Sequence, residues 1–109
     1  MSSIYLLNTP VLTEYGNYTF RKAELDEVKY LVFLFQWTLI SAIGHETTAK
    51  LMSRIIGFDV AVNRVQIKMQ PGDSAIVFRV LTRLPEGKVL TEEELTKVPY
   101  EFGILERVK

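Results

Sequence analysis

The feature that most constrains how this chain can fold is a stretch of fifteen residues, 30–44, without a charged side chain. Its first part continues a helical spacing of apolar residues that starts at Leu25 and reaches Phe35. Its second part, Trp37–Ile43, is rich in the large and branched side chains typical of a buried strand. Crossing a bilayer takes about 20 mostly apolar residues. We therefore expect the stretch to lie in the core, as a helix followed by a strand.

Shorter patterns on both sides of this stretch predict further elements. Ile4–Leu7 is an apolar run closed by a turn at residues 8–10, and Tyr18–Arg21 alternates weakly, so both are predicted strands. After the uncharged stretch, apolar residues between Leu51 and Ile56 form one helical stripe. Gly57 is the residue type favoured just past a helix end. A second helix is therefore predicted directly after the buried strand.

The middle of the chain has the pattern of a hairpin. Two strand-like runs flank a strong turn signal at residues 70–73, namely Val65–Met69 and Ala75–Thr82. Alternation along the first run places Arg64 and Lys68 on one face. With Pro71 and Gly72 as the central turn residues, Arg64 lies opposite Arg79. Two facing arginines repel unless an anion lies between them, so the pair is a candidate anion site.

The end of the chain predicts a short helix and a last strand. Thr91 and Glu94 match a capping box, Pro99 stops the helix early, and Tyr100–Val108 is a predicted strand. About five strands and two or three helices in mixed order favour an α+β fold, with a single mixed sheet and helices packed against it. A chain of 109 residues is expected to form one domain, residues 1–109.

Composition excludes several kinds of site. The chain has no cysteine and one histidine, His45, which excludes thiolate chemistry and any site built from several imidazoles of one chain. There is no Walker loop or dinucleotide fingerprint, and the glutamates at 92–94 are expected to cap a helix, so we predict neither a cofactor nor a metal. The first residues lack the basic segment and apolar run of a secretory signal, which predicts a protein of the cytoplasm without a membrane segment.

The charges are balanced overall but unevenly distributed. Thirteen basic and thirteen acidic residues give a net charge of zero, and residues 50–88 carry seven basic against three acidic side chains. A segment of this sign suits a small polyanion better than long nucleic acid, which usually recruits a broad basic surface. An ordinary solvated surface of mixed charge is the alternative.

The most informative segment for chemistry is Gly44–Thr48, between the buried strand and the second helix. Free backbone N–H groups concentrate at a helix start and attract anions such as phosphate. Gly44 lets a ligand approach the backbone closely. An imidazole beside a bound phosphate can donate a proton to a departing oxygen near neutral pH, so His45 is a candidate general acid. Alternatively, His45 is a polar residue that only hydrogen-bonds locally at the helix start.

A second segment, Arg83–Lys88, follows the long predicted strand. An arginine can hold a phosphate with two parallel hydrogen bonds, which makes Arg83 a candidate phosphate ligand. A carboxylate beside a histidine orients it and favours its protonated form, a role open to Glu86. The alternative is an exposed turn that ends a strand.

Several segments together resemble the viral ring nuclease family, the type III anti-CRISPR enzymes of archaeal viruses, phages and integrated elements. Those that carry the resemblance are Ile4–Asn8, Ile43–Thr48, Asn63–Val65, Arg83–Lys88 and Tyr100–Arg107. Two positions depart from the family pattern: Thr82 stands where relatives often have glutamine, and Pro85 stiffens the loop that presents Glu86.

The resemblance implies a homodimer that binds cyclic tetra-adenylate across its two-fold axis and cleaves it without a metal. The ribose 2′-hydroxyl would attack, leaving linear di-adenylate with 2′,3′-cyclic phosphate ends and inhibiting type III CRISPR signalling in the host cytoplasm. His45 would protonate the leaving 5′-oxygen, Arg83 would stabilise the strained phosphate, and Glu86 would position the histidine. Asn8 and Arg64 match positions that line the family's ligand site.

The same residues are also compatible with a protein that is not an enzyme. A protein that sequesters a cyclic nucleotide, or one that binds nucleic acid, would keep the basic face and lose nothing when His45 is replaced. A structural dimer from a mobile element would bind no nucleotide. Gly44, Lys68 and Arg79 complete the predicted ligand-binding set on the grounds of close approach, shared face and strand parity.

Overall fold

The computed structural model describes residues 3–82 and 91–109 of the chain. The elements in chain order are β1 (Ile4–Leu7), β2 (Tyr18–Ala23), α1 (Leu25–Phe35), β3 (Leu39–Ser41), α2 (Glu46–Ile56), β4 (Ser74–Val80), α3 (Glu92–Thr96) and β5 (Tyr100–Arg107).

The described strands form one five-stranded mixed sheet in the order β2-β5-β4-β1-β3. β1 pairs in parallel with both β3 and β4, whereas β5 pairs antiparallel with β4 and β2. The predicted α+β fold with a mixed sheet of five strands and helices against it is therefore confirmed.

The two longer helices cover one face of the sheet. Val28 and Val32 of α1 and Met52 of α2 are buried in one cluster with side chains of β1 and β4 such as Leu6 and Phe78. Strand alternation sends the neighbouring residues to the other face. There Leu7, Ala75, Val77 and Leu105 pack beneath Met69, which lies in the segment between α2 and β4.

Local end signals are confirmed at two helices. Gly57 adopts φ 70° just past α2, and its N–H donates to the Ser53 carbonyl at 2.9 Å. Thr91 and Glu94 form the reciprocal capping box, with the Glu94 N–H donating to Thr91 Oγ1 at 3.1 Å and the Thr91 N–H donating to Glu94 Oε1 at 3.0 Å.

The predicted hairpin is wrong. Residues 59–70 contain no strand, although the turn at 70–73 closes with a hydrogen bond from the Asp73 N–H to the Gln70 carbonyl at 2.9 Å. The physical reason is that β4 already has a partner on each side, β1 and β5, so no edge is open for Val65–Met69. Arg64 consequently does not lie opposite Arg79. Arg79 is instead the register partner of Glu101 in β5.

The uncharged stretch 30–44 is only partly core. Ile43 and Val32 are buried, but the side chains of Phe33 and Trp37 are 70% and 89% exposed, so the expectation that the whole stretch is buried is wrong. The strand within it is also shorter than predicted, because the Thr38 N–H donates to the Phe35 carbonyl in a turn that delays β3 until Leu39. Among the residues that the structure describes, no helix combines the length and apolar character needed to cross a membrane.

Candidate active site at the carboxyl edge of the parallel strands

The candidate residues gather where the parallel strands end. Because β1, β3 and β4 run in the same direction, their carboxyl ends lie at one edge of the sheet. Asn8 directly follows β1, and Gly44 and His45 lie between β3 and α2. Arg79 is the second-to-last residue of β4. The crevice outside the carboxyl ends of parallel strands is where α/β sheets usually bind ligands.

His45 is the N-cap residue of α2, with extended backbone angles of φ −115° and ψ 119°. Its Nδ1 accepts a hydrogen bond from the Thr48 backbone N–H at 3.2 Å and lies 3.1 Å from the Thr48 hydroxyl oxygen. A ring nitrogen that accepts from a backbone N–H carries no proton, so in the neutral ring the proton is on Nε2. Nδ1 therefore makes the local hydrogen bond at the helix start that was the alternative role of His45. Nε2 carries the proton of the neutral ring.

Arg64 reaches this helix start from the segment after α2. Its Nε donates to the Gly44 carbonyl at 2.7 Å, and a Cβ placed on Gly44 would come within 2.7 Å of the Arg64 Cγ. The close approach predicted at Gly44 is thus made by a side chain of the same protein. The contact fixes an exposed guanidinium beside the residue that precedes His45.

Hydrogen bonds to β3 hold the segment that carries Arg64. The Asn63 N–H donates to the Ile43 carbonyl at 2.8 Å, and the Asn63 side-chain amide donates to the Ser41 carbonyl at 2.7 Å. The Ser41 hydroxyl donates to the Ala61 carbonyl at 2.6 Å. These bonds hold residues 61–63 against residues 41–43, about twenty positions earlier in the chain, at the carboxyl end of β3.

The Gly44–Arg64 contact gives a stability prediction that a double-mutant cycle can isolate. Gly44→Ala is expected to lower the free energy of unfolding by about 1 kcal/mol, because the new methyl group displaces Arg64 and breaks its hydrogen bond. In an Arg64→Ala background the same substitution is expected to cost almost nothing. Denaturant unfolding of the four proteins measures the coupling. An equal cost in both backgrounds would contradict the assignment.

Gly57→Ala is the matched control for that cycle. A Cβ at Gly57 meets nothing within 4 Å, and its φ of 70° makes the cost one of backbone strain. Gly57→Ala should therefore destabilise the chain equally with and without Arg64.

Asn8 and Lys68 line one open cleft, which lies between the segment after β1 and the segment after Arg64. It has a volume of about 780 Å³, and its wall also includes Ala42, Val65 and Thr13. The Thr13 hydroxyl accepts from the Met69 N–H at 2.9 Å, which holds the segment after Arg64 against the segment after β1. The structure therefore brings Asn8 and Lys68 together, although the strand that was predicted to carry Lys68 does not form.

Arg79 has a different neighbour from the one expected. Its guanidinium forms an ion pair with Glu101 at 2.5 Å, on the sheet face opposite the helices. The bond to Glu101 is made by Nη1, so a ligand contact by Arg79 would use its other guanidinium N–H groups or replace this carboxylate. The candidate catalytic residues Arg83 and Glu86 lie outside the described residues. No group of three or more His, Cys, Asp and Glu side chains that could hold a metal occurs within residues 3–82 and 91–109.

Thr48 is the site residue for which the sequence predicted no role. Thr48 is 6% exposed, and its hydroxyl contacts the imidazole of His45. The signal was available, because the side chain of an N-cap residue normally accepts from the N–H of the second or third helical residue.

The fold and site define an α+β protein whose one histidine caps a helix at the carboxyl edge of a mixed sheet, with an arginine beside it. The family described as STIV B116-like matches residues 4–102. The chain belongs to this family, which is the viral ring nuclease family indicated by the sequence motifs, and that prediction is confirmed.

Individual relatives span nearly the whole chain. It is 34% identical over 105 residues to the uncharacterized protein YddF of Bacillus subtilis, covering 96% of this chain and 97% of that protein. It is 38% identical over 101 residues to the uncharacterized protein ORF116 of Acidianus filamentous virus 1, covering 91% and 86% of the two chains. The solved structure of B116 of Sulfolobus turreted icosahedral virus aligns with a TM-score of 0.80 and 29% identity, covering 97% of this chain and all of that one.

Proposed function

We propose that this protein is a metal-independent ring nuclease that cleaves cyclic tetra-adenylate and thereby inhibits type III CRISPR signalling in the host cytoplasm. One observation carries the proposal: Nδ1 of His45 is engaged by the first turn of α2, which makes Nε2 the nitrogen that can give a proton to a departing oxygen. Family membership supports the same activity, because the motifs of this chain resemble those of enzymes that cleave cyclic tetra-adenylate.

The proposed reaction is an internal transesterification. The ribose 2′-oxygen bonds to the adjacent phosphorus as the bond from phosphorus to the 5′-oxygen breaks. The 2′-hydroxyl gives its proton to solvent, and the imidazolium form of His45 supplies a proton from Nε2 to the leaving 5′-oxygen. The ring then regains a proton from solvent, so that the protons balance over each cut. No water is consumed, so each cut leaves a 2′,3′-cyclic phosphate and a 5′-hydroxyl. Two cuts convert the ring into two linear di-adenylates.

The remaining roles follow the same chemistry. Arg83 stabilises the charge that builds on the phosphate, and Glu86 orients the histidine. Arg64 lies beside the strand-to-helix turn through its bond to Gly44, so it contacts the ring's phosphates next to His45. Lys68 contacts them from the wall of the cleft. Asn8 contributes an amide at the end of β1, and Gly44 and Arg79 complete the ligand set. No cofactor takes part.

A homodimer suits this substrate, because two copies related by a two-fold axis present the same residues to both halves of a ring of identical nucleotides. The ring is small, so no long nucleic acid is needed as a partner. Each protomer would supply one histidine, and the two would act on opposite phosphodiesters.

The nucleophile gives the sharpest test of the reaction type. The unmodified ring should yield linear di-adenylate with cyclic phosphate ends, as identified by mass spectrometry. A ring that is 2′-O-methylated at every ribose should bind and remain intact, because its 2′-oxygen cannot attack. Cleavage of the methylated ring would contradict the proposal. Binding of both rings without any cleavage would favour a sequestering protein.

A further inference from the structure

Two polar groups of Thr48 converge on one nitrogen of His45. The backbone N–H lies 3.2 Å from Nδ1 and the side-chain hydroxyl oxygen lies 3.1 Å from it. Thr48 is buried, as is its neighbour Thr47, so the first turn of α2 is packed into the protein. The position of the Thr48 hydroxyl is therefore set by the fold.

We propose that Thr48 is a positioning residue that fixes the orientation and tautomer of His45. It holds Nδ1 against the first turn of α2 and leaves the exchangeable proton of the neutral ring on Nε2. The consequence for cleavage rests on the proposed function. The orientation and tautomer of the ring do not.

The two groups of Thr48 serve different protonation states of the ring. In the neutral ring, Nδ1 accepts from the Thr48 N–H. In the imidazolium, which is the form that acts as a general acid, Nδ1 bears a hydrogen and can no longer accept. A hydroxyl can turn its lone pair toward that hydrogen and accept it, whereas a backbone N–H cannot. Together, the two groups of Thr48 give Nδ1 a hydrogen-bond partner in both states without moving the imidazole.

Two substitutions separate the hydroxyl from the rest of the side chain. Thr48→Val keeps the shape and branching but has no hydroxyl, and Thr48→Ser keeps the hydroxyl but lacks the methyl group. A purely structural role in packing would make valine the milder substitution. A positioning role makes serine the milder one.

The chain has one histidine, so a long-range nitrogen–proton NMR spectrum contains a single imidazole. At a pH high enough for the imidazole to be neutral, the wild-type protein and Thr48→Ser should show an unprotonated Nδ1 and a protonated Nε2. In Thr48→Val the neutral ring should keep this tautomer, because the backbone N–H of residue 48 remains. At low pH, however, the imidazolium of Thr48→Val lacks the acceptor that the hydroxyl supplies, so its nuclear Overhauser contacts with the first turn of α2 should weaken, whereas Thr48→Ser should keep them. A wild-type ring protonated on Nδ1 would overturn the proposal whether or not the variants fold.

Kinetics supply the second readout. Under single-turnover conditions, Thr48→Val should slow cleavage of cyclic tetra-adenylate by about three- to tenfold, the factor expected from one lost hydrogen bond. Its affinity for the ring should be unchanged, and Thr48→Ser should retain near wild-type rates. Equal spectra and equal rates for the two variants would overturn the proposal while wild-type cleavage kept the function. The predicted spectra without cleavage by the wild-type protein would leave the positioning role and remove the function.

Discussion

Replacing His45 with alanine should slow cleavage of cyclic tetra-adenylate by about 10²–10⁴-fold, the usual contribution of a general acid. The reason is that the leaving 5′-oxygen then departs without a proton donor. The substitution also removes the N-cap of α2, whose loss costs about 0.5–2 kcal/mol of folding free energy. Activity has to be compared at a temperature where the variant is folded.

His45→Asn separates the two effects. Asparagine is a favoured N-cap residue and can accept from the Thr48 N–H through its side-chain oxygen, but it cannot act as a general acid. We expect it to be more stable than His45→Ala and equally slow in cleavage. Single-turnover rates and thermal unfolding of both variants test this. Turnover at the wild-type rate in either variant would remove His45 from the mechanism.

Arg83→Ala is the second substitution with a large expected effect, a loss of about 10²–10³-fold in the cleavage rate. An arginine that acts on the charge developing at phosphorus contributes more to the transition state than to the bound ring. The rate under saturating protein should therefore fall more than the affinity for the intact ring. A loss confined to affinity would make Arg83 a binding residue.

Arg21→Ala is a suitable control for that measurement. Arg21 lies in β2, which β5 and β4 separate from β1, and it forms an exposed ion pair with Glu27 of α1. The pair holds the pKa of Glu27 below its usual value, chiefly through the hydrogen bonds from Arg21. Removing this cation changes the net charge as Arg83→Ala does, but on a strand that β5 separates from β4. Cleavage should be unaffected, which would exclude a general effect of charge.

The fold was predictable from sequence where the signals are local. Helical spacing located α1 and α2, Gly57 marked the end of α2, and the capping box at Thr91 marked the start of α3. The strand assigned to Val65–Met69 failed because strand formation depends on an open partner edge. Neither β1 nor β5 was visible as a neighbour of β4 in the sequence, and these two occupy both of its edges.

The prediction that Trp37 is buried failed for a related reason. Hydrophobicity indicates that a side chain gains from burial, but the packing around the end of α1 decides whether a position is covered. Trp37 follows that end and is 89% exposed, whereas Ile43 in the same uncharged stretch is fully buried.

In the candidate site, too, local features could be predicted from the sequence and contacts between distant residues could not. His45 could be picked out because its position at a helix start is local. The bond from Arg64 to Gly44 spans twenty residues and could not be derived from spacing. Thr48 stood within the motif, but its two hydrogen-bonding distances to Nδ1 needed the side-chain geometry.

The most direct test of the central claim is the fate of cyclic tetra-adenylate incubated with excess protein in EDTA and followed by chromatography. We predict complete conversion to linear di-adenylate with a chelator present. An intact ring retained on the protein would contradict cleavage and support sequestration. A ring that is neither bound nor cleaved would contradict both activities and leave the family and the fold.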